Sequence, residues 1–459
     1  MLRISIDRLQ LPGCIICVKG MWENEKEQIR KVICMALSAL LELSEKEYDA
    51  FASVHPYANF LNSIYSGRKF ALRGWDVHYV GICHDGEMAA ATLLVSVKLH
   101  GSYRYFYAPR GFLLDYADHE LLQAMCQGVK QFAKERNGLY LKIDPYVPYQ
   151  EHDQDGKVVE DGFCNQKIVD DLQSCGFAHQ GFTRGYDMAN QCRWMSVLDL
   201  RNKDEETLFQ RFDAQTRWAI RRAQRNQIKL TQAGPEKLPD FMRIIDHAAA
   251  RRGFDTQDET YYRELFQAYG SQVKLILAEM DLFAYQRALR KELMQKQTKL
   301  SEIQGYSRKR ARHQKMLREE LDQLQQKLRE VRQLELYAQE GKVLMGGGIF
   351  ICYGQEMIYL AGGTYGRFLH FHPAYAMQWH MIRAAKHAGM RAYNFYGISG
   401  SFEKDQDGYG VFAFKRGFHA DVVELLGDFL MPLRPWTWRA YRLMQELKRH
   451  IKKTRLTAG

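Results

Sequence analysis

The chain has 459 residues, a mass of 53.6 kDa, 46% hydrophobic and 26% charged residues, and a net charge of +11. That is the balance of a globular protein of two or three domains, with enough chain for a large core. The longest apolar run, Val32–Leu41, is interrupted by Ser38 and falls far short of a membrane span, and the first residues lack a signal-peptide pattern.

The charge is unevenly placed. Residues 281–342 hold fifteen Lys/Arg against nine Asp/Glu, and residues 434–459 hold eight against one, so the remainder is slightly acidic. Two basic appendages on a near-neutral body point to polyanions docked at particular places. The nine cysteines are scattered, the pattern of a reduced, cytoplasmic protein. Cys14-x-x-Cys17 is the one close pair, and it lacks the second pair or the histidines that zinc needs, so no metal and no cofactor are expected.

In chain order, residues 1–47 read as an N-terminal extension, with Met35 opening a natural alternative start. A mixed α/β (α+β) domain is expected over 48–190. Ala90–His100 and Tyr103–Pro109 are rich in β-branched and aromatic residues and read as adjacent strands. Glu120–Arg136 reads as an amphipathic helix, Gly138–Pro145 as a strand ended by its proline, and Lys167–Cys175 as a helix stopped at Gly176.

A second unit, 191–281 and 342–433, opens with the strand Arg193–Leu200 and one helix over Asp204–Asn226. Helices near Lys237–Arg251 and Thr260–Tyr269 and a strand at Val273–Met280 follow. Val343–Gly354 and Glu356–Tyr365 resume the sheet. Strands and helices alternate in similar order in both halves, which predicts two α/β units of related topology.

Residues 282–341 are of another kind. Leu317, Leu321, Leu324, Leu328 and Val331 are spaced 4, 3, 4, 3, a heptad seam, and Leu289, Leu293 and Leu300 follow it less strictly. With Gly305-Tyr306-Ser307 as the break, this predicts an antiparallel coiled-coil arm. Arg308, Lys309, Arg310, Arg312, Lys315 and Arg318 crowd its tip with no acid among them. That is either a solvated helix surface or one that tracks nucleic-acid phosphates.

A second cluster, Arg217, Arg221, Arg222, Arg225 and Lys229, lies on the helix after the Arg193–Leu200 strand. Spacings of four align Arg217, Arg221 and Arg225. As pure structure the face repels itself; as function it is an anion site for a pyrophosphate or a nucleic acid. The tail 434–459 joins Trp436, Trp438 and Tyr441 to eight basic residues, the composition of a segment lying on anionic lipid. Otherwise the tryptophans close over the core and only the basic end is exposed.

There is no G-x-S-x-G elbow, no H-E-x-x-H and no phosphate-binding G-x-x-x-x-G-K-[ST] loop. Gly346–Gly348 and Gly362–Gly363 fall in strands, where glycine marks close packing or substrate approach. The chemistry expected is transfer from an already activated donor.

YAPRGFLLDY (107–116), IDPYV (143–147), TRWAIRRA (216–223), IYLAGGTY (358–365), YNFYGISG (393–400) and FKRGF (414–418) together resemble the Fem/MurM peptidoglycan-bridge aminoacyltransferases, from about Tyr48 to Pro432. The resemblance implies two tandem N-acetyltransferase-like (GNAT-like) domains with an inserted coiled-coil arm. It implies transfer of an amino acid (glycine, alanine or serine) from aminoacyl-tRNA to the stem peptide of lipid II, by a cytoplasmic enzyme peripheral to the inner membrane face. It places Asp115 as the acid that orients or deprotonates the attacking amine, and Lys415 as the lysine that stabilises charge on the ester carbonyl.

Lys69, Arg110, Tyr261 and Tyr359 fall near positions that hold the precursor, and Arg217 and Arg221 fit the same anionic substrate. The arginine that the family often has four residues before Tyr261 is here Gln257, which leaves Arg251 or Arg252 as the candidates for that phosphate contact. The rivals are an acyl-CoA-dependent N-acyltransferase, whose pyrophosphate loop is absent from the sequence, and a non-catalytic tRNA- or membrane-binding protein.

Overall fold

The computed structural model describes residues 39–187, 190–304 and 307–457, without the side chains of His100 and residues 447–457. Cys14, Cys17, Met35, Gly305 and Tyr306 lie outside the described residues. The first elements, β1 (Leu41–Glu42) and α1 (Glu45–Ala52), begin inside the stretch the sequence assigns to an extension. A capping box starts α1: Ser44 Oγ accepts from the Glu47 N–H (3.2 Å), and Glu47 Oε2 accepts from the Ser44 N–H (2.7 Å).

Next come α2 (Ile64–Leu72) and the strands β2 (Asp76–His84), β3 (Glu87–His100) and β4 (Tyr103–Ala108), an antiparallel meander. Helix α3 (His119–Glu135) then crosses over to β5 (Gly138–Ile143), which runs parallel to β4. Asp118 caps α3 by accepting from the Leu121 N–H (2.9 Å). The stripe Leu122, Met125, Cys126, Val129, Phe132 and Ala133 is buried at helical spacing. Strand β6 (Pro148–Glu151), α4 (Gln166–Ser174) and β7 (Ala178–His179) follow.

The second half opens with β8 (Trp194–Asp199), α5 (Glu205–Arg211) and α6 (Ala214–Arg225). The sequence predicts a single helix here. The structure breaks it because Phe212 is extended, its ring packed on Trp379 and Phe418, while the Asp213 N–H donates to Gly417 O (2.9 Å). Then come β9 (Ile228–Ala233), α7 (Leu238–Arg252), α8 (Glu259–Tyr269) and β10 (Val273–Asp281).

The arm is α9 (Leu282–Ser301) and α10 (Arg308–Leu334), about 30 and 40 Å long at 1.5 Å per residue. The heptad seam is as expected: Leu289, Leu317, Leu321, Leu324 and Val331 are buried, and Leu293 and Leu328 partly so. Lys296 joins Glu320 across the pair at 2.7 Å. The chain then resumes with β11 (Ala338–Gln339), β12 (Lys342–Tyr353), β13 (Glu356–Thr364), α11 (Pro373–His387), β14 (Ala392–Ile398), α12 (Tyr409–Arg416) and β15 (Asp421–Leu425). It ends with β16 (Phe429–Pro432) and α13 (Pro435–Thr457).

Two compact units result. Of the described residues, one takes 39–149, Cys164–Thr183 and 425–457; the other takes Gln150–Phe163 and Arg184–Glu424. The first sheet runs β1-β2-β3-β4-β5-β16-β7, and the second β6-β15-β8-β14-β13-β12-β10-β9, with β11 on β12. The domain edge expected at 433 is thereby corrected: β16 is hydrogen-bonded between β5 and β7, so the C-terminal segment belongs to the first unit. Each unit repeats one plan, a meander, then a helix, then a strand parallel to the last: β4-α3-β5 and β13-α11-β14. This is the expected α+β arrangement of two tandem GNAT-like domains carrying an inserted arm.

Candidate active site

In the first unit the loop from Pro109 to Asp118 leaves β4 and enters α3. Arg110 adopts a left-handed φ of 50° and is 2% exposed. Its N–H donates to Asp144 Oδ1 (2.9 Å), its guanidinium lies 3.5 Å from Asp144 Oδ2, and its carbonyl accepts from Asn62 Nδ2 (3.1 Å). Burial raises the Asp144 pKa, and the Arg110 charge opposes that. Arg110 thus faces the interior and anchors the loop.

Asp115, by contrast, is exposed, and its Oδ1 accepts from the Ala117 N–H (2.9 Å). Its carboxylate acts on His55 and Tyr57. Burial pushes the His55 pKa down to about 4 against the pull of Asp115, so the imidazole is neutral at neutral pH. Burial and Asp115 both raise the Tyr57 pKa. The Phe51, His55, Tyr57 and Tyr116 rings follow one another at 5.3, 5.6 and 5.9 Å, an aromatic wall beside the acid. His55 and Tyr57 escape a sequence reading because they sit in an irregular segment without periodicity. Lys69 is half-buried in the last turn of α2.

In the second unit Lys415 is 5% exposed at the end of α12. Its Nζ donates to the carbonyls of Tyr396 (3.1 Å) and Gly397 (2.6 Å). Those carbonyls are turned toward it by an irregularity in β14. Tyr396 is left-handed (φ 64°), its N–H donates to Asn394 Oδ1 (2.7 Å), and Asn394 Nδ2 donates to Glu356 Oε1 (3.0 Å). Burial lowers the Lys415 pKa to about 7, with Cys192 opposing. A Cβ placed on Gly397 would meet Cys192 Sγ at 3.4 Å and the Tyr186 ring at 3.9 Å, so both residues flank the lysine shelf.

A tyrosine–arginine cluster lies in the same unit. Tyr359 is half-buried and packs on Phe350 at 5.2 Å. Burial pushes its pKa up to about 12, and Arg252 pulls it back. Tyr262 stands edge-on to Tyr261 at 5.2 Å, and both Tyr261 and Tyr359 act on its hydroxyl. Arg252 neighbours Arg251, whose pKa is lowered by burial and by that second charge, and it also acts on Tyr186. The structure therefore brings Tyr261, Tyr359 and Arg252 together. The strand glycines serve packing here: a Cβ on Gly348 would lie 3.0 Å from the Tyr359 ring, and one on Gly363 would lie 3.0 Å from Ala248 of α7.

The basic helix α6 divides its charges. Arg217 donates to the carbonyls of Gln210 (2.7 Å) and Phe212, and Arg221 lies over the Phe209 ring at 5.1 Å. Both therefore pack on α5 or the turn after it. Arg308, Lys309, Arg310, Arg312 and Lys315 are exposed at the start of α10. On α13, Trp438 and Tyr441 lie 4.3 and 6.4 Å from Tyr140, while Trp436 is 81% exposed. The two tryptophans thus divide: Trp438 is half-buried against Tyr140 of β5, and Trp436 faces solvent. Among the described residues no helix is long and apolar enough to cross a membrane.

Two α+β units of one plan thus carry the candidate groups, one presenting a carboxylate beside a neutral imidazole and the other a buried lysine. The chain matches the family described as "FemAB family" over residues 43–446. It is 32% identical over 415 residues to "Aminoacyltransferase FemA" from Staphylococcus aureus strains bovine RF122 / ET3-1 and MRSA252, covering 89% of this chain and 99% of each relative. Its fold is similar to the crystal structure of FemX, with a TM-score of 0.71 and 24% identity over 87% of this chain and 99% of that one. The chain belongs to the FemAB family and is an aminoacyltransferase.

Proposed function

We propose that the protein moves an amino acid from aminoacyl-tRNA onto an amine of the lipid II stem peptide, in peptidoglycan bridge synthesis. The observation that carries this reading is Lys415: a lysine held by two carbonyls, with a pKa of about 7, is a cation close to its switching point inside a protein wall. In the reaction the amine nitrogen bonds to the ester carbonyl carbon and the ester C–O bond to the ribose breaks. Asp115 orients the amine or takes its proton, and the tRNA hydroxyl leaves with a proton. Lys415 stabilises the oxyanion of the tetrahedral intermediate.

Lys69, Tyr261 and Tyr359 hold the precursor, with Arg252 in place of the arginine missing at Gln257. Arg110, Arg217 and Arg221 contribute by fixing the segments that face the anionic substrate. The tip cations Arg308, Lys309, Arg310, Arg312 and Lys315 take tRNA phosphates. Helix α13 rests on anionic lipid at the cytoplasmic face of the membrane, a reading supported by the exposed Trp436 and the Arg439 stacked on it at 5.2 Å.

The test is a transfer assay with purified protein, lipid II and a pool of radiolabelled aminoacyl-tRNAs, without ATP or coenzyme A. Label on lipid II from one aminoacyl-tRNA is expected and names the amino acid. No label from any, with a precursor already carrying one bridge residue also tried, overturns the reading in favour of a binding protein. Deleting residues 288–335 should weaken tRNA binding and flatten its salt dependence.

A further inference from the structure

Helix α6 has a face that neither the acid nor the lysine site uses. Trp218, Arg222 and Arg225 are spaced four and three apart, so they share one side of the helix, beside the row of Arg217 and Arg221, whose side chains turn back onto α5 and the turn after it. Trp218 is 50% exposed, and the His372 ring stands edge-on to it at 5.0 Å. His372 is left-handed (φ 60°) at the entry of α11. Arg222 acts electrostatically on His372, on Lys327 of α10 and on Tyr285 of α9, and Arg225 acts on Lys327 as well. Three separate elements therefore bring Arg222, Arg225, Lys327 and His372 to one place beside a half-exposed tryptophan.

The acids that act on Lys327 are Glu292 and Glu330, yet burial and the two arginines still lower its pKa. Like charges crowded in this way repel one another, and a further anion would relieve what Glu292 and Glu330 leave. A flat aromatic ring among cations is the chemistry that receives single-stranded nucleic acid: a base stacks on the ring and its phosphates meet the cations. The first turns of α10 offer phosphate contacts, but Arg308–Arg318 holds no aromatic residue other than His313.

We propose that Trp218, with Arg222, Arg225 and Lys327, seats the unpaired 3′ end of the donor RNA, one base lying on the indole. The inference rests on the aminoacyl-tRNA reading and adds to it a site that distinguishes unpaired from paired RNA.

The test compares a tRNA with the same tRNA lacking its unpaired 3′ nucleotides, by equilibrium binding to the full chain. The wild type should bind the intact form about tenfold more tightly, the scale of one base stacked on an aromatic ring. Trp218→Ala should lose most of the preference for the intact form, and Trp218→Phe should keep most of it, which separates stacking from misfolding. Arg222→Ala/Arg225→Ala should weaken the intact form, leave the trimmed form unchanged, and reduce the intact form's slope of log affinity against log salt by about one to two. Equal binding of both forms by the wild type, or a preference that survives Trp218→Ala, overturns the proposal while tRNA binding itself stands. No tRNA binding by the wild type sinks the donor reading, and this site with it.

Discussion

Both units cross over from a strand through a loop to a helix, and they treat that loop in opposite ways. In the first unit Pro109–Leu114 is packed shut: Phe112, Leu113 and Leu114 are fully buried, Arg110 is locked on Asp144, and Asp115 is the first side chain to emerge. In the second, Tyr365–His372 is open. Arg367, Leu369 and His370 are exposed, and Tyr337, Arg367, His370 and Phe371 line a cavity of about 590 Å³ at the root of the arm. Arg367 lies 4.5 Å over the Tyr337 ring, where Arg110 has a carboxylate. One topology thus supports two designs: a rigid loop that aims a single acid, and an exposed basic, aromatic surface that can receive a large polyanion.

The sharpest way to break this comparison is Asp115→Asn. The side chain is exposed, so the fold should hold while single-turnover transfer falls about 10²- to 10⁴-fold. Unchanged transfer would leave the shut loop without a chemical purpose.

Lys415→Met should cost about 10²- to 10³-fold in transfer, with tRNA affinity retained. The sign of its pH dependence follows from the lowered pKa: the side chain is an ammonium below about pH 7 and neutral above. Transfer that relies on the ammonium therefore declines as pH rises through about 7. Lys415→Arg, which cannot deprotonate, should remove that decline. A decline that persists in the arginine variant would assign it to another group.

The remaining pair tests rigidity directly. Arg110→Ala leaves Asp144 buried without its guanidinium and should lower stability in urea by about 3–5 kcal/mol. Arg367→Ala, on the open loop, should shift it by about 0.5 kcal/mol or less. Similar losses for both would erase the distinction between the two loops.

What was readable in advance follows the range of the interactions. The coiled-coil arm is legible because Leu317 to Val331 repeat every 3.5 residues, a wholly local signal. The strands at Ala90–His100 and Val343–Gly354 declare themselves through β-branched and aromatic content. Asp115 and Lys415 stand out through a family resemblance, since neither composition nor spacing marks an acid or a lysine as special. The break at Phe212 depends on Trp379 and Phe418, more than 150 residues away, and no local rule foresees it. His55 and Tyr186 are brought to their sites by tertiary packing alone. Trp218 could have been found: with Arg222 and Arg225 it forms a 4, 3 pattern hidden by the more obvious row of arginines.

The place of β16 has a consequence for how the protein is made. This strand fills the gap between β5 and β7, yet about 285 residues separate it from Ile143 at the end of β5. At about 5–20 residues per second, the ribosome needs roughly 15 to 60 s to supply it. Throughout that interval the nascent first sheet exposes the unpaired edge of β5, a strand that carries the apolar Leu141 and Ile143, an invitation to mispairing with other chains. Nascent chains of this protein should therefore depend on chaperones until the last turn of synthesis, and a premature stop before Phe429 should yield aggregate rather than a shortened enzyme.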